Sequence, residues 1–308
     1  MAKTYTIENS VGDSVTLLNL GARIVEWNTL VNDSTRNVIL AYPDLDDYWQ
    51  DDCYLGAIAG PYANRIANGE VKINDKTIRL SKNEGQNILH SGTNALDKCM
   101  WRIKEQSERA ITFSYWLEDG FNGFPGAMVF EIEYRLAEDK SQLKINMIAN
   151  SEKDTIIGPT GHAYFNLSQQ QNTINKHQLQ INAKQYTELS SDNIPTGSIL
   201  PVTGTKLDFI KQKEINDCQL DDNYVVHDDD FVAKLVSPEN DLTMTVKSDY
   251  PGVQVYTAEH LGAPLNKRQG ICIEPQFYPD SPNHPNFPFS VTKANETFNK
   301  KIIYLLEK

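Results

Sequence analysis

The sequence predicts an all-β fold, a large antiparallel β-sandwich, on three observations. Segments alternating apolar and polar residues recur along all 308 residues, Gly, Asn and Asp bound most of them, and almost no stretch sustains a helical period. Many strands at short spacing without intervening helices are the pattern of packed antiparallel sheets.

In chain order, residues 5–8 and 14–20 read as the first strands. Residues 71–80 read as two short strands about an Asn74-Asp75 turn. Residues 111–117 follow, then 129–136, whose clean alternation makes 143–150 its hairpin partner. Further strands are expected at 242–247, 253–257 and 301–306. The Gly- and Pro-rich stretches 118–126 and 281–288 interleave aromatics, which marks ordered turns rather than linkers. With no low-complexity boundary and no repeat, residues 1–308 are expected to form a single domain.

Composition narrows the function classes. Hydrophobic residues make up 40% of the chain, enough for a sizeable core. A net charge of −12 opposes tight binding to nucleic acid or to an anionic membrane, because both need a basic surface. The segment Met1 to Glu8 lacks the apolar stretch of a signal peptide, and no run of about eighteen apolar residues occurs. The expected location is cytoplasmic. Cys53, Cys99, Cys218 and Cys272 are scattered without C-x-x-C spacing, so reduced thiols are expected.

The chemistry gathers in two distant motifs, Gly158-Pro-Thr-Gly-His162-Ala-Tyr-Phe-Asn-Leu167 and Gly270-Ile-Cys-Ile-Glu274-Pro-Gln276. Each sets one proton-transferring side chain among apolar and turn-forming neighbours that can move its pKa toward neutrality. Taken alone, His162 reads more readily as a packed, hydrogen-bonded core histidine. Glu274 reads as a strand-end carboxylate, with Pro275 ending the pairing. His90 lies in an Asn-Ile-Leu-His-Ser-Gly turn. Arg65, after Asn64, offers a five-donor fork that suits a carboxylate or adjacent hydroxyls.

No metal is expected. The acidic stretch 217–230, including Asp228-Asp-Asp230, lacks the glycine and terminal glutamate of a calcium loop and reads as a solvated loop. The six histidines show no zinc-binding spacing. A glycine-rich phosphate loop is also missing, which leaves no support for a nucleotide cofactor.

Together these motifs resemble the aldose 1-epimerase (galactose mutarotase) family. Gly60-Pro-Tyr-Ala-Asn64-Arg65-Ile-Ala-Asn-Gly69 is similar to its N-R-I signature, Asn87 to Gly92 to its L-H-G-G loop, and His162 to Leu167 to its H-x-Y-F-N-L element. Leu220 to Tyr224, Tyr250 to Thr257 and Gly270 to Gln276 match three further family elements in order. The resemblance implies a β-sandwich and no cofactor. It implies His162 as general acid, Glu274 as general base, His90 as a donor near the ring oxygen, and Arg65, Asp221 and Asn64 as ligands of sugar hydroxyls.

The expected partner is a monosaccharide, bound by a monomer or homodimer. Pro61, Ser91 and Asp222 depart from the family pattern, in loops expected to shape sugar preference. Competing readings are an epimerase of a modified or phosphorylated sugar, a non-catalytic sugar-binding protein, and a glycoside hydrolase using Glu274 and Asp221.

Overall fold

The computed structural model describes residues 1–227 and 230–308. Its largest element is a nine-stranded antiparallel sheet. In spatial order the strands are Arg102–Gln106, Ala110–Leu117, Met128–Leu136, Gln142–Ser151, Phe298–Glu307, Thr243–Ser248, Ala233–Val236, Gln178–Ile181 and Lys213–Glu214. A six-stranded sheet runs Tyr164–Phe165, Ile271–Gln276, Gly252–Tyr256, Asp221–Val225, Gln185–Leu189 and Pro195–Pro201. An N-terminal meander of Thr4–Glu8, Ser14–Leu18, Arg23–Val31 and Ser34–Asn37 forms a third sheet. Among the described residues the helical turns are 3-10 turns of three to five residues. None of their helices is long and apolar enough to cross a membrane.

Alternation explains the sheets. In Gln142–Ser151 every second side chain is buried, and Met128–Leu136 pairs with it along its whole length, so both turn Leu, Ile, Met, Phe and Tyr to one face. The six-stranded sheet covers that face. Phe165 meets Tyr304 across the layers with ring centroids 4.9 Å apart. The meander packs at the same level, where Tyr5 lies edge-on to Phe113 and the Tyr134 hydroxyl donates to the Ala22 carbonyl at 2.6 Å. One continuous buried cluster reaches from Ile7 to Leu306.

The hairpin Glu70–Ile73/Lys76–Arg79 turns at Asn74 and Asp75, both with positive φ, as a tight two-residue turn requires. Two expectations change. Pro275 does not end the pairing, because Pro275 and Gln276 still stand opposite Val253 and Gly252. The missing N–H is tolerated because the neighbouring strand Tyr164–Phe165 pairs only with Cys272 and Ile271, and the Thr160 hydroxyl donates to the Pro275 carbonyl at 2.7 Å. Residues 221–225 form a central strand rather than a solvated loop. Asp228 and Asp229, from the acidic stretch considered for calcium, lie outside the described residues.

Candidate active site

Several segments of the chain build one cleft. His162 follows the two-residue strand Thr160–Gly161 and is pinned by its backbone: its N–H donates to the Ala57 carbonyl at 2.8 Å, and its carbonyl accepts the Gly56 N–H at 3.1 Å. Gly56 has φ of +74°, and a Cβ there would stand 2.2 Å from the Ile24 carbonyl oxygen, so no other residue fits this approach. His90 and Asn64 lock reciprocally. The His90 N–H donates to the Asn64 carbonyl at 3.1 Å, and the Asn64 N–H donates to His90 Nδ1 at 3.1 Å. With Nδ1 accepting, the neutral ring carries its proton on Nε2.

Glu274 lies mid-strand, opposite Gln254 in the ladder, so both stand on one face of the six-stranded sheet. It is 2% exposed, which overturns the reading of a strand-end surface carboxylate. His162 Nε2 lies 3.6 Å from Glu274 Oε2. On its other side, His162 Nδ1 lies 3.6 Å from Cys272 Sγ. Tyr54 leans on both histidines, with centroids 4.4 Å from His90 and 5.8 Å from His162.

Arg65 is held by Glu84 through Nε at 2.7 Å and Nη2 at 2.9 Å, while Nη1 faces Asp221 at 4.0 Å. Asp221 in turn accepts from Gln254 Nε2 at 2.7 Å. Together these side chains enclose one open cleft.

All six residues singled out from the sequence, His162, Glu274, His90, Arg65, Asp221 and Asn64, line this cleft. Sequence reading missed Tyr54, Glu84, Gln254 and Tyr256. A signal existed for Gln254, whose even-numbered offset from Tyr256 and pairing strand place it on the active face, whereas Glu84 sits in a polar loop without periodicity. Pro61, Ser91 and Asp222 are not among the described residues that line the cleft. The Ser91 hydroxyl instead donates to the Tyr62 carbonyl at 2.9 Å and accepts the Tyr62 N–H at 2.7 Å.

Burial sets the protonation states. It pushes the Glu274 carboxyl well above its ordinary range, and the charge of Asp221 adds to the push. It lowers the His162 imidazole to about 4, against weaker upward effects that include the charge of Asp51. Desolvation outweighs that nearby negative charge. His90 is lowered well below its ordinary value, by burial first and then by His162 and Arg65. Burial thus disfavours both charged forms and favours a carboxylic acid beside a neutral imidazole, with one titrating proton on the pair and no hydrogen bond between the two groups.

His90, His162 and Glu274 bring candidate ligand atoms within 4.8 Å of one another. The donor set does not suit a metal. A ligating histidine normally donates its second ring N–H to an acceptor, but His90 Nδ1 accepts from Asn64, which leaves the cleft-facing Nε2 protonated.

The family model of aldose 1-epimerases matches residues 3–305. The chain belongs to the aldose 1-epimerase family. It is 34% identical to the aldose 1-epimerase of Haemophilus influenzae over 303 residues, covering 92% of this chain and 88% of that one. To human galactose mutarotase it is 33% identical over 282 residues, covering 85% and 82%. Among solved structures, an aldose epimerase homologue from C. elegans superposes with a TM-score of 0.94 at 24% identity, covering 100% of this chain and 99% of that one. Galactose 1-epimerase from Lactobacillus acidophilus gives 0.89 at 25%, covering 100% and 98%. The large antiparallel sandwich expected from strand periodicity is thus the fold of this aldose 1-epimerase family member.

Proposed function

We propose that this chain interconverts the α and β anomers of a free aldohexose such as galactose or glucose. The observation that carries the reading is the 3.6 Å approach of His162 Nε2 to Glu274 Oε2 in a cleft that His90 also lines. Glu274, as carboxylate, takes the proton of the C1 hydroxyl. The electrons of the O1–H bond become the second C1–O1 bond, the C1–O5 pair leaves with O5, and O5 takes a proton from His162. Rotation about C1–C2 presents the other carbonyl face, and the steps reverse.

The shared proton makes these roles accessible. Its transfer from Glu274 to His162 as the sugar arrives converts the neutral pair into carboxylate and imidazolium without exchange with solvent. His90 Nε2–H donates near the ring oxygen, and Arg65, Asp221 and Asn64 bind hydroxyls. Tyr54, Tyr164 and Tyr256 in the cleft wall offer faces to sugar C–H groups.

The proposal also takes residues 1–308 as one domain, which the continuous core supports. It places the reaction in the cytoplasm, where the four free thiols stay reduced. Polarimetry of freshly dissolved α-D-galactose and α-D-glucose tests it. Accelerated approach to anomeric equilibrium is the expected result, and folded protein that accelerates neither sugar would sink the reading.

A further inference from the structure

The cleft holds one guanidinium, and that guanidinium is already neutralised. Among the described residues lining the wall, Arg65 is the only Arg or Lys, against the carboxyl groups of Asp52, Glu84, Asp221 and Glu274. Binding a phosphate or carboxylate group needs a free fork, two parallel N–H donors on one guanidinium edge. The Nε/Nη2 edge of Arg65 is taken by both oxygens of Glu84, and Nη1 already faces Asp221.

Glu84 is built to stay there. Its backbone exchanges N–H to carbonyl bonds with Asn87 at 3.2 and 2.9 Å. The Asn83 side chain clamps Leu89 at both its N–H, 2.7 Å, and its carbonyl, 3.0 Å. Leu89 is the ladder partner of Arg65. The acid and the base of the ion pair therefore hang from one tied hairpin, preorganised before any sugar arrives.

We propose that Glu84 is a specificity-determining residue: by consuming the charge of Arg65 it makes the cleft select uncharged aldoses and reject anionic ones, aldose 6-phosphates and uronic acids alike. The inference rests on the sugar-binding reading given above. An anionic sugar meets Asp52 and Asp221 with no unpaired cation to offset them, and like charges brought together at a site boundary cost affinity. A neutral hydroxyl, by contrast, uses the remaining Nη1 hydrogens without displacing Glu84. If Glu84 served only to hold the Arg65 fork in place, its loss would weaken neutral and anionic sugars equally. Selectivity is the quantity that separates the two.

The test compares galactose, galactose 6-phosphate and galacturonate as substrates of the full chain. Wild type is expected to favour galactose over the 6-phosphate by on the order of 100-fold in kcat/KM, a preference that shrinks as salt screens the charges. Glu84→Gln, which keeps the backbone clamps and frees the Arg65 edge, is expected to cut that ratio at least ~10-fold even as galactose turnover itself declines. Asp52→Asn, at an exposed position on the rim, is expected to reduce it less.

Wild type that turns over the 6-phosphate as well as galactose, or a ratio unmoved by Glu84→Gln and by salt, would overturn the assignment. Calorimetric titration of galactose against galactose 6-phosphate, on wild type and both variants, reads the same ratio without catalysis. Absent turnover with intact binding selectivity would then count against the epimerase reading while upholding the role of Glu84.

Discussion

His162 Nε2 lies 3.6 Å from Glu274 Oε2, and that buried oxygen makes no hydrogen bond. An unpaired carboxyl oxygen in a buried site costs folding free energy, and it leaves an acceptor aimed at the histidine. Glu274→Gln and His162→Asn are each expected to lower kcat by about 10²–10⁴-fold. The double variant is expected to fall little below the worse single one, because groups that act as a unit are not additive. Polarimetric progress curves with galactose measure all three. Independent, multiplying losses would break the pairing.

The pH profile of kcat/KM reports the free protein's groups. His162 is lowered to about 4, so the pair gains a second, inhibitory proton only near that pH, and it loses its shared proton only above the raised value of Glu274. A plateau is expected to extend down through pH ~6.5, the ordinary histidine value, with the acid limb centred near 4. An acid limb near the ordinary value would mean that His162 is not held neutral by burial.

Stability should show the same physics at a second histidine. His177 is buried, accepts the Leu167 N–H at Nε2 at 3.0 Å, and is lowered to about 4, chiefly by desolvation. Below pH ~6.5 the unfolded chain takes a proton that the folded chain refuses until about 4, so this contribution is present at neutral pH and lost as pH falls. Between about pH 7 and about pH 5 the loss amounts to about 2 kcal/mol. Urea unfolding at both pH values should show a correspondingly smaller drop in His177→Gln. An identical drop would contradict the buried neutral imidazole.

Behind the cleft, Arg23 and Asp51 form a fully buried ion pair at 2.7 Å, with the guanidinium also donating to the Leu55 and Asp97 carbonyls. Asp51 accepts the N–H groups of Cys53 at 3.1 Å and Leu55 at 3.0 Å, so it shapes the turn that presents Tyr54 to the two histidines. Arg23→Met strands the carboxylate and is expected to cost ~3–5 kcal/mol. Arg23→Met/Asp51→Leu should regain part of the loss. Denaturant midpoints decide, and a single variant as stable as wild type would refute the estimate.

Much of this molecule was legible wherever one face of a strand is wet. Residues 129–136 and 143–150 announced their hairpin because polar and apolar residues alternate strictly. Arg23–Val31 gave no such signal, since its first three residues are all buried and alternation sets in only afterwards. The site was legible through its motifs, which carry Asn64, Arg65, His90, His162, Asp221 and Glu274. What could not be read was the side-chain geometry of the loops: Glu84 meets Arg65 from a polar turn, and the left-handed backbone of Tyr54 follows from the local tether to Asp51 rather than from any pattern. The protonation of His162 was not legible either, because charge is visible in a sequence and desolvation is not.

Glu274 owes its direction to the ladder opposite Gln254 and not to a flexible connection. A slip of one residue between those strands would turn the carboxyl away from the histidine and bury its neighbour's side chain in its place. The connection between them, residues 257–270, contributes only His260 to the cleft wall. For protein engineering, the mouth is therefore open to reshaping at exposed His260, while Ala258, Leu261 and Leu265 seat that connection in the core and the strand that carries Glu274 stays fixed.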